Sequence, residues 1–249
     1  MQPQMFHRRI ADVLAIMGGG VTAPRWIRAD DGLSYIVKDE GAGLSTVRAA
    51  EFIWLSVANA IGLAAPKPEI FEDTVANRLV VGTRREQAAV GKDHASCLAA
   101  LLGGAVLNGG VHLSRIYAFD LFSGNGDRHP GNYLILDEGG HQAVFAIDYS
   151  HVGLWPVSGA ADPIAGPCNT RTWFPAVSAP YGHDIAAAVA IIDRLGQLPT
   201  AEIEAILTAI PDDWLPPTGK LSICDWWDGP DRQARAVAIR EGLQNGTYV

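Results

Sequence analysis

The sequence predicts an α+β fold with two lobes: a small N-terminal antiparallel β lobe with one helix, and a larger, mainly helical C-terminal lobe. Three observations lead to this prediction. Short β-like runs separated by turn residues occupy the first third of the chain, one helical repeat interrupts them, and capped segments with helical spacing occupy the last third. We place the lobes at residues 1–83 and 84–249 and treat them as a single domain.

Size and charge narrow the possible classes of function. The chain has 249 residues and a mass of 26.5 kDa, which is enough for two lobes that share a cleft. Its residues are 48% hydrophobic and 18% charged, an ordinary balance for a globular protein. The net charge of −8 and the pI of about 5.3 argue against broad binding to a nucleic-acid backbone, which needs a basic surface.

Cysteine and hydropathy patterns predict a cytoplasmic protein that does not bind a membrane. Cys97, Cys168 and Cys224 are far apart and odd in number, which indicates a reducing compartment and gives no metal motif. The apolar stretch at residues 11–17 is too short to span a bilayer and lacks the order of regions in a signal peptide. The seven histidines have no paired ligand spacing, so we predict no zinc site.

The N-terminal lobe opens with an ambiguous segment and a glycine-rich turn. Residues 6–17 are compatible with a short helix or with a strand. Gly18, Gly19 and Gly20 follow, in a turn whose backbone N–H groups could approach phosphates. This turn is not a Walker A loop, because no Gly-Lys-Ser/Thr sequence follows it.

Four β-like runs predict the sheet of this lobe. Residues 25–29 and 33–38 flank an Asp-Asp-Gly turn, which is a hairpin signal, and Lys38 ends the second run. Residues 66–71 and 78–83 are a further pair of runs separated by a polar turn. Together these runs predict a small antiparallel sheet, after which the chain passes to the C-terminal lobe.

A helix is predicted between the two pairs of strands. A flexible link at residues 41–45 precedes apolar residues at helical spacing over residues 46–61, and Gly62 is placed to end the helix. Glu51 lies in the first half of this helix among apolar neighbours. It is the natural partner for Lys38, because kinases pair a strand lysine with a helix glutamate.

The C-terminal lobe is predicted to be helical on both sides of an irregular segment. Residues 149–180 are rich in Pro and Gly and are expected to be irregular. Asp184 and Thr200 are predicted N-caps, and Pro230 is a predicted first-turn residue. The predicted helices cover residues 97–102, 113–122, 184–195, 200–210 and 230–243.

A loop and hairpin at residues 126–148 combine a carboxylate, an amide and a second carboxylate. Asp127 lies in a Gly/Pro-rich loop, Asn132 follows five residues later, and Asp148 ends the next hairpin. A kinase uses this layout to hold nucleotide phosphates through Mg²⁺, which prefers the oxygen ligands that Asn132 and Asp148 offer. Asp127 would orient or accept the proton of an attacking hydroxyl. The plain alternative is a surface hairpin whose loop contains residues that turns favour.

With these residues in view, the chain resembles the HipA-like kinases, which have a protein-kinase-like fold. It is also similar to phosphatidylinositol kinases near the DRHxGN motif. The DRHPGN loop at residues 127–132 and the Ile-Asp pair at 147–148 resemble the catalytic and metal motifs of the HipA-like family. Residues 18–24 resemble its glycine-rich nucleotide loop, residues 35–38 its lysine strand, and residues 48–68 its helix with the following Gly-Leu-x-x-Pro.

The resemblance implies a phosphotransferase that depends on ATP and Mg²⁺, most simply a serine/threonine protein kinase. It implies a nucleotide-binding lobe at residues 1–83 and a catalytic lobe at residues 84–249. Asp127 would be the catalytic aspartate, and His129 would support the loop or approach the γ-phosphate. Arg128 would brace a neighbouring acid.

The same resemblance implies the residues that bind the cofactor and the metal. Asn132 and Asp148 would hold Mg²⁺, and Lys38 would contact the phosphates with Glu51 as its partner. Gly18, Gly19 and Gly20 would approach the nucleotide.

Two alternatives stay open. Aminoglycoside-type small-molecule kinases share a GDxHPGN-like loop, but they usually have a histidine where this chain has Asn125. A catalytically silent nucleotide-binding or partner-binding module is the other alternative, against which the intact Lys38, Asp127, Asn132 and Asp148 argue. The resemblance implies a protein substrate without identifying it, and it leaves a regulatory partner protein open.

Overall fold

The computed structural model describes residues 7–17, 24–40, 46–90, 93–154 and 166–248. The N-terminal part consists of short strands and a helix, in the order β1 Arg8–Ile16, β2 Arg25–Ala29, β3 Ser34–Lys38, α1 Val47–Ala60, β4 Pro68–Asp73 and β5 Arg78–Arg84. The glycine turn predicted at residues 18–20 and the link predicted at 41–45 lie outside the described residues. The ambiguous first segment is a strand.

The strands form a closed barrel in the order β1-β2-β3-β5-β4, which is more than the predicted antiparallel sheet. Neighbouring strands are antiparallel except β1 and β4, which pair in parallel through Arg8 with Phe71 and Arg9 with Glu72. Closure leaves β1 and β4 without the unpaired edges of an open sheet. Apolar side chains that include Ile27, Tyr35 and Phe71 fill the barrel interior, and this interior explains the alternation of buried and exposed residues along β2 and β3.

Arg48 connects helix α1 to both parts of the chain. It is only 8% exposed, although arginine is rarely buried unless it is paired. Its guanidinium donates to the carbonyl oxygen of Leu79 at 2.7 Å and lies 3.1 Å from Glu40 and 3.3 Å from Asp213. It also stacks 5.2 Å from the ring of Trp214. These contacts hold the first turn of α1 against the sheet and against the C-terminal part.

The C-terminal part is mainly helical, as predicted, so the predicted α+β class with a small β-rich region and a larger helical region is confirmed. Its elements are α2 His94–Leu102, α3 Gly109–Ser123, β6 Tyr133–Asp137, β7 Gln142–Ala146, α4 Asn169–Ser178, α5 Ile185–Gln197, α6 Thr200–Thr208, α7 Pro217–Asp228 and α8 Pro230–Gln244. One apolar core runs from α1 through α3 and α5 to α8. Within the described ranges, no helix is long and apolar enough to cross a membrane.

Two helices contradict the sequence prediction. Residues 149–180 were expected to be irregular, but α4 forms within them and contains Pro175. Burial of Phe174 and Val177 against the core compensates for the backbone hydrogen bond that this proline removes. Helix α7 was not predicted, because its first turn contains proline and glycine, which usually indicate a loop.

The helix caps agree with the prediction in one place and differ in another. Asp184 is the N-cap of α5, and its side chain accepts a hydrogen bond from the N–H of Ala187 at 2.8 Å. The prediction that Thr200 is an N-cap was wrong, because Pro199 occupies that position and Thr200 is the first helical residue. Helix α8 begins at Pro230, as predicted.

We predict that Leu55→Ala lowers the free energy of unfolding by about 2–5 kcal/mol, because Leu55 is 0% exposed and its loss leaves a cavity in the core below α1. Urea unfolding followed by circular dichroism measures this change. Leu221→Ala is the matched control, since Leu221 is also helical but 63% exposed, and it should change stability by less than about 0.5 kcal/mol. Equal effects of the two variants would contradict the packing described for α1.

Candidate active site

Three charged side chains from distant parts of the sequence meet beside the barrel. Lys38 ends β3, Glu51 lies on α1, and Asp148 follows β7. The Nζ atom of Lys38 lies 3.0 Å from Oε1 of Glu51 and 2.8 Å from Oδ1 of Asp148. The structure therefore forms the Lys38–Glu51 pair expected from the sequence and adds Asp148 to it.

Burial and charge act against each other in this cluster. Burial would lower the pKa of Lys38, but Asp148 and Glu51 together raise it. Burial would likewise raise the pKa of Asp148, but the ammonium of Lys38 and the hydroxyl of Ser150 hold that pKa well below its ordinary value. Burial raises the pKa of Glu51, and Lys38 opposes this effect. Lys38 and Asp148 are consequently both charged at neutral pH.

The backbone at Asp148 is unusual. Its φ angle is +62°, in the left-handed region that residues other than glycine rarely adopt. The next residue, Tyr149, donates its N–H to Oε2 of Glu51 at 2.6 Å, and the hydroxyl of Ser150 donates to Oδ1 of Asp148. These contacts, with the bond from Lys38, hold a carboxylate at a strained position, which is a common feature of functional sites.

The loop between α3 and β6 carries Asp127 and Asn132. Helix α3 ends at Gly124, whose φ of +77° suits glycine and turns the chain sharply into the loop. The Nδ2 atom of Asn132 donates to the carbonyl oxygen of Asp127 at 2.9 Å. The N–H of Asp127 donates to Oδ1 of Asn125 at 3.1 Å. The five-residue step thus closes a compact loop through the backbone of Asp127, and neither of these two bonds uses its carboxylate.

Arg128 is the buried support of this loop. It is 2% exposed and forms a two-pronged ion pair with Asp120 of α3, with nitrogen–oxygen distances of 2.8 and 2.9 Å. Its remaining nitrogen donates to the carbonyl oxygens of Asn132 and Ile147. Burial would lower the pKa of Arg128, but Asp120 raises it above its ordinary value. This matches the expectation that Arg128 braces a neighbouring acid.

His129 faces a second ring from helix α2. Its Nδ1 atom accepts a hydrogen bond from the N–H of Gly131 at 3.1 Å, so the neutral ring carries its proton on Nε2. The ring stacks on His94, with 5.3 Å between the ring centroids. Burial lowers the pKa of His129, and Asp127 only partly opposes this effect. His129 is therefore neutral at pH 7 and supports the loop through contacts rather than charge.

The donor atoms at this site suit a hard cation that keeps other ligands. The side-chain hydrogen bond of Asn132 uses its Nδ2 atom, and the side-chain bonds of Asp148 use its Oδ1 atom. Among the described residues, Oδ1 of Asn132 and Oδ2 of Asp148 therefore have no hydrogen-bond partner. Both free atoms are oxygens, which Mg²⁺ prefers. The described residues contain no cluster of three or more His, Cys, Asp or Glu side chains that could hold a metal ion without help. Two protein oxygens would fill only part of the coordination shell of Mg²⁺, so other ligands such as water would have to complete it.

The face of the sheet that carries Lys38 also carries Trp26, which the sequence analysis did not single out. Trp26 pairs with Ile36 across β2 and β3, and side chains two apart on a strand share a face, so Trp26, Ile36 and Lys38 form one row. The guanidinium of Arg85 lies 4.1 Å from the centre of the Trp26 ring. Counting alternate positions back from Lys38, and then across the predicted hairpin, would have identified Trp26.

Most of the predicted site residues are therefore neighbours in the structure. Lys38, Glu51 and Asp148 touch directly, and Asp127 and Asn132 lie on a loop that Arg128 ties to the strand end before Asp148. The three predicted glycines at residues 18–20 lie outside the described residues, so their role stays a prediction.

The chain matches one family model and resembles known structures in its fold. A family model described as HipA-like kinase matches residues 10–152, more than half of the 249 residues. No curated protein matches the chain.

Two solved structures share the fold. A Helicobacter pylori proinflammatory kinase, CtkA, aligns with a TM-score of 0.60 and 13% identity over 96% of this chain and 96% of that chain. HipA from the Shewanella oneidensis MR-1 toxin–antitoxin system, in a structure with HipB and its operator DNA, aligns with a TM-score of 0.53 and 14% identity over 92% of this chain and 68% of that chain. At these identities the likeness establishes a kinase-like fold.

We predict that Arg128→Met lowers the free energy of unfolding by about 3–5 kcal/mol, because it leaves Asp120 buried without a counter-charge. Chemical denaturation measures the change, and adding Asp120→Asn to the variant should recover part of it. Arg9→Met is the control, since the Arg9–Glu72 pair is exposed, and it should cost less than about 1 kcal/mol. The prediction is wrong if both arginine variants are equally stable.

Proposed function

The chain belongs to the HipA-like kinase family, and we propose that this kinase uses ATP and Mg²⁺ to phosphorylate serine or threonine hydroxyl groups of a protein substrate. We further propose that residues 1–83 bind the nucleotide and that residues 84–249 supply the catalytic loop. The family membership carries the reaction type. The nucleotide, the metal and the acceptor are proposals that rest on the arrangement of side chains at the site.

One observation carries the proposal: Lys38 lies between the carboxylates of Glu51 and Asp148, at 3.0 and 2.8 Å. The two carboxylates fix the position of the ammonium and keep it protonated, but they also compensate its charge. If Asp148 were to hold a cation, that compensation would be smaller, and Lys38 would be able to contact the phosphates of a nucleotide. A surface hairpin with turn residues would not need a buried lysine at this place.

Each residue then has a defined task. Lys38 contacts the nucleotide phosphates, and Glu51 keeps it in place. Asn132 and Asp148 offer oxygen atoms to Mg²⁺, whose chemistry is to neutralise the charge that builds up on the phosphates. Asp127 accepts or orients the proton of the attacking hydroxyl, and this step needs a carboxylate near the acceptor. His129 supports the loop from its stacked position beside His94.

A partner protein is a separate part of the proposal. The Shewanella HipA structure includes HipB and operator DNA, and on this basis we propose that a protein partner restrains the present kinase. The net charge of −8 does not favour direct contact of this chain with DNA.

We predict that Asp127→Ala lowers the rate of phosphate transfer at least about 100-fold while largely preserving ATP affinity, because Asp127 acts on the acceptor rather than on the nucleotide. The assay incubates the purified protein with labelled ATP and Mg²⁺, then follows label into the protein, a cell extract and free phosphate. Asp137→Ala, which removes an exposed carboxylate from the adjoining hairpin, is the control and should transfer phosphate at the unmutated rate.

The fraction that takes the label separates the alternatives. Label in protein that depends on Asp127 supports the protein kinase, and acid hydrolysis of that protein identifies the phosphorylated residue type. Label confined to small molecules of the extract would instead support an aminoglycoside-type kinase. Binding of ATP without transfer to any fraction, water included, would favour a catalytically silent module.

We predict that Asp148→Ala weakens nucleotide binding in Mg²⁺ by about tenfold or more and makes the remaining affinity independent of Mg²⁺, because it removes the proposed metal ligand. Titration of a fluorescent ATP analogue with and without Mg²⁺ measures both quantities. Glu138→Ala, which removes an exposed carboxylate nearby in the sequence, should retain the metal dependence. Equal affinities with and without Mg²⁺ in the unmutated protein would refute the metal assignment.

A further inference from the structure

The side chain of Asn169 touches the proposed catalytic carboxylate. Its Nδ2 atom donates to Oδ1 of Asp127 at 2.7 Å, although the two residues are 42 positions apart. Asn169 is the first residue of α4, a helix that the sequence did not predict. It lies beyond residues 10–152, the part of the chain that the family model covers.

The contact is fixed by the residue that follows. Thr170 is 0% exposed, and its N–H donates to the carbonyl oxygen of Gly126 at 3.3 Å. Its hydroxyl oxygen accepts the N–H of Arg128 at 3.0 Å and donates to the carbonyl oxygen of Asn125. Three hydrogen bonds from one buried threonine therefore attach the start of α4 to the catalytic loop, and they hold Asn169 beside Asp127.

Asn169 is the side chain that orients the carboxylate of Asp127. The other loop contacts of Asp127 involve its backbone: its N–H donates to Asn125, and its carbonyl oxygen accepts from Asn132. Within the described residues, no second side chain bonds to the carboxylate. The last torsion of an aspartate side chain is broad, so a carboxylate without such a contact would sample many orientations. The bond to Oδ1 leaves Oδ2 available to an acceptor.

We propose that Asn169 is a positioning residue for phosphate transfer, which holds Asp127 so that its Oδ2 atom faces the acceptor hydroxyl. This inference rests on the function proposed above. In the step, the acceptor oxygen forms a bond to the γ-phosphorus of ATP, and the bond from that phosphorus to the β–γ bridging oxygen breaks with its electron pair on ADP. The acceptor proton passes to Oδ2 of Asp127. Asn169 keeps that oxygen in line throughout.

The main test uses a substitution that keeps the shape of the side chain. Asn169→Leu approximately preserves its size and removes the donated hydrogen bond without adding a charge beside Asp127, whereas Asn169→Ala removes the side chain. Both variants should lower kcat roughly 10- to 100-fold, because hydrogen bonds to charged groups have about this strength. Asn169→Gln keeps an amide donor on a longer stem and should recover part of the lost rate. The acceptor is the one that takes label from the unmutated protein, or water where no other does.

A second readout separates positioning from a merely structural role. The affinity for a fluorescent ATP analogue with Mg²⁺ and the melting temperature should stay within about twofold and 2 °C of the unmutated values in Asn169→Leu, because a lost exposed hydrogen bond has a small effect on stability. Thr172→Ala removes another exposed side-chain bond in the first turn of α4. It is the matched control and should leave kcat unchanged.

The outcomes distinguish this inference from the function on which it rests. A normal kcat in Asn169→Leu overturns the positioning role and leaves the kinase assignment intact. A raised acceptor KM with an unchanged kcat also overturns it, since Asn169 would then bind the acceptor directly. A parallel loss of kcat, nucleotide affinity and melting temperature would make Asn169 structural. An unmutated protein that binds Mg-ATP but transfers phosphate nowhere refutes the proposed function and this inference together.

Discussion

The geometry of the site depends on the buried ion pair between Arg128 and Asp120. One guanidinium binds a carboxylate of α3 and the carbonyl oxygens of Asn132 and Ile147, so it joins a core helix, the loop at residues 127–132 and the strand end before Asp148. Removing both charges from water is costly, and such pairs are weak evidence for stability. The arrangement is better understood as fixing the position of two loops that would otherwise move independently.

A second buried cluster depends on that position. Lys38 and Glu51 come from the barrel and from α1, whereas Asp148 comes from the C-terminal hairpin. Their contacts form only when the two parts of the chain are aligned to within a hydrogen-bond length. The backbone bond from Tyr149 to Glu51 adds to this alignment. The charged cluster thus forms only in one relative position of β3, α1 and β7. Because its contacts fix that position, they can maintain the strained φ angle at Asp148.

The sequence predicted the residues marked by a local spacing, as in the Asp127 loop, or by a known kinase pairing, as for Lys38 and Glu51. It missed those that only tertiary packing brings to the site. Asp127 and Asn132 were recognisable because five residues separate them in one loop. The start of α4 was hidden, since Pro175 and the surrounding Pro and Gly residues indicate a loop to any local rule. Burial of apolar residues outweighed that local preference. Trp26 was missed for a different reason. It lies on the same face as Lys38 because of the register between β2 and β3, and local sequence preferences do not determine that register.

The two sides of the site consequently differ in how much the family implies about them. The proposed nucleotide side is built from the barrel, α1 and the loop at residues 127–148, which lie within the matched residues 10–152 except for the first two residues of β1. The proposed acceptor side includes α4, which lies outside that match and contacts Asp127 through Asn169. An enzyme must keep the groups that act on ATP in order to remain a kinase, but the surface that receives the acceptor can change without altering the reaction. If the proposed function holds, the residues around the start of α4 are therefore the part of this chain in which we expect its substrate preference to be encoded.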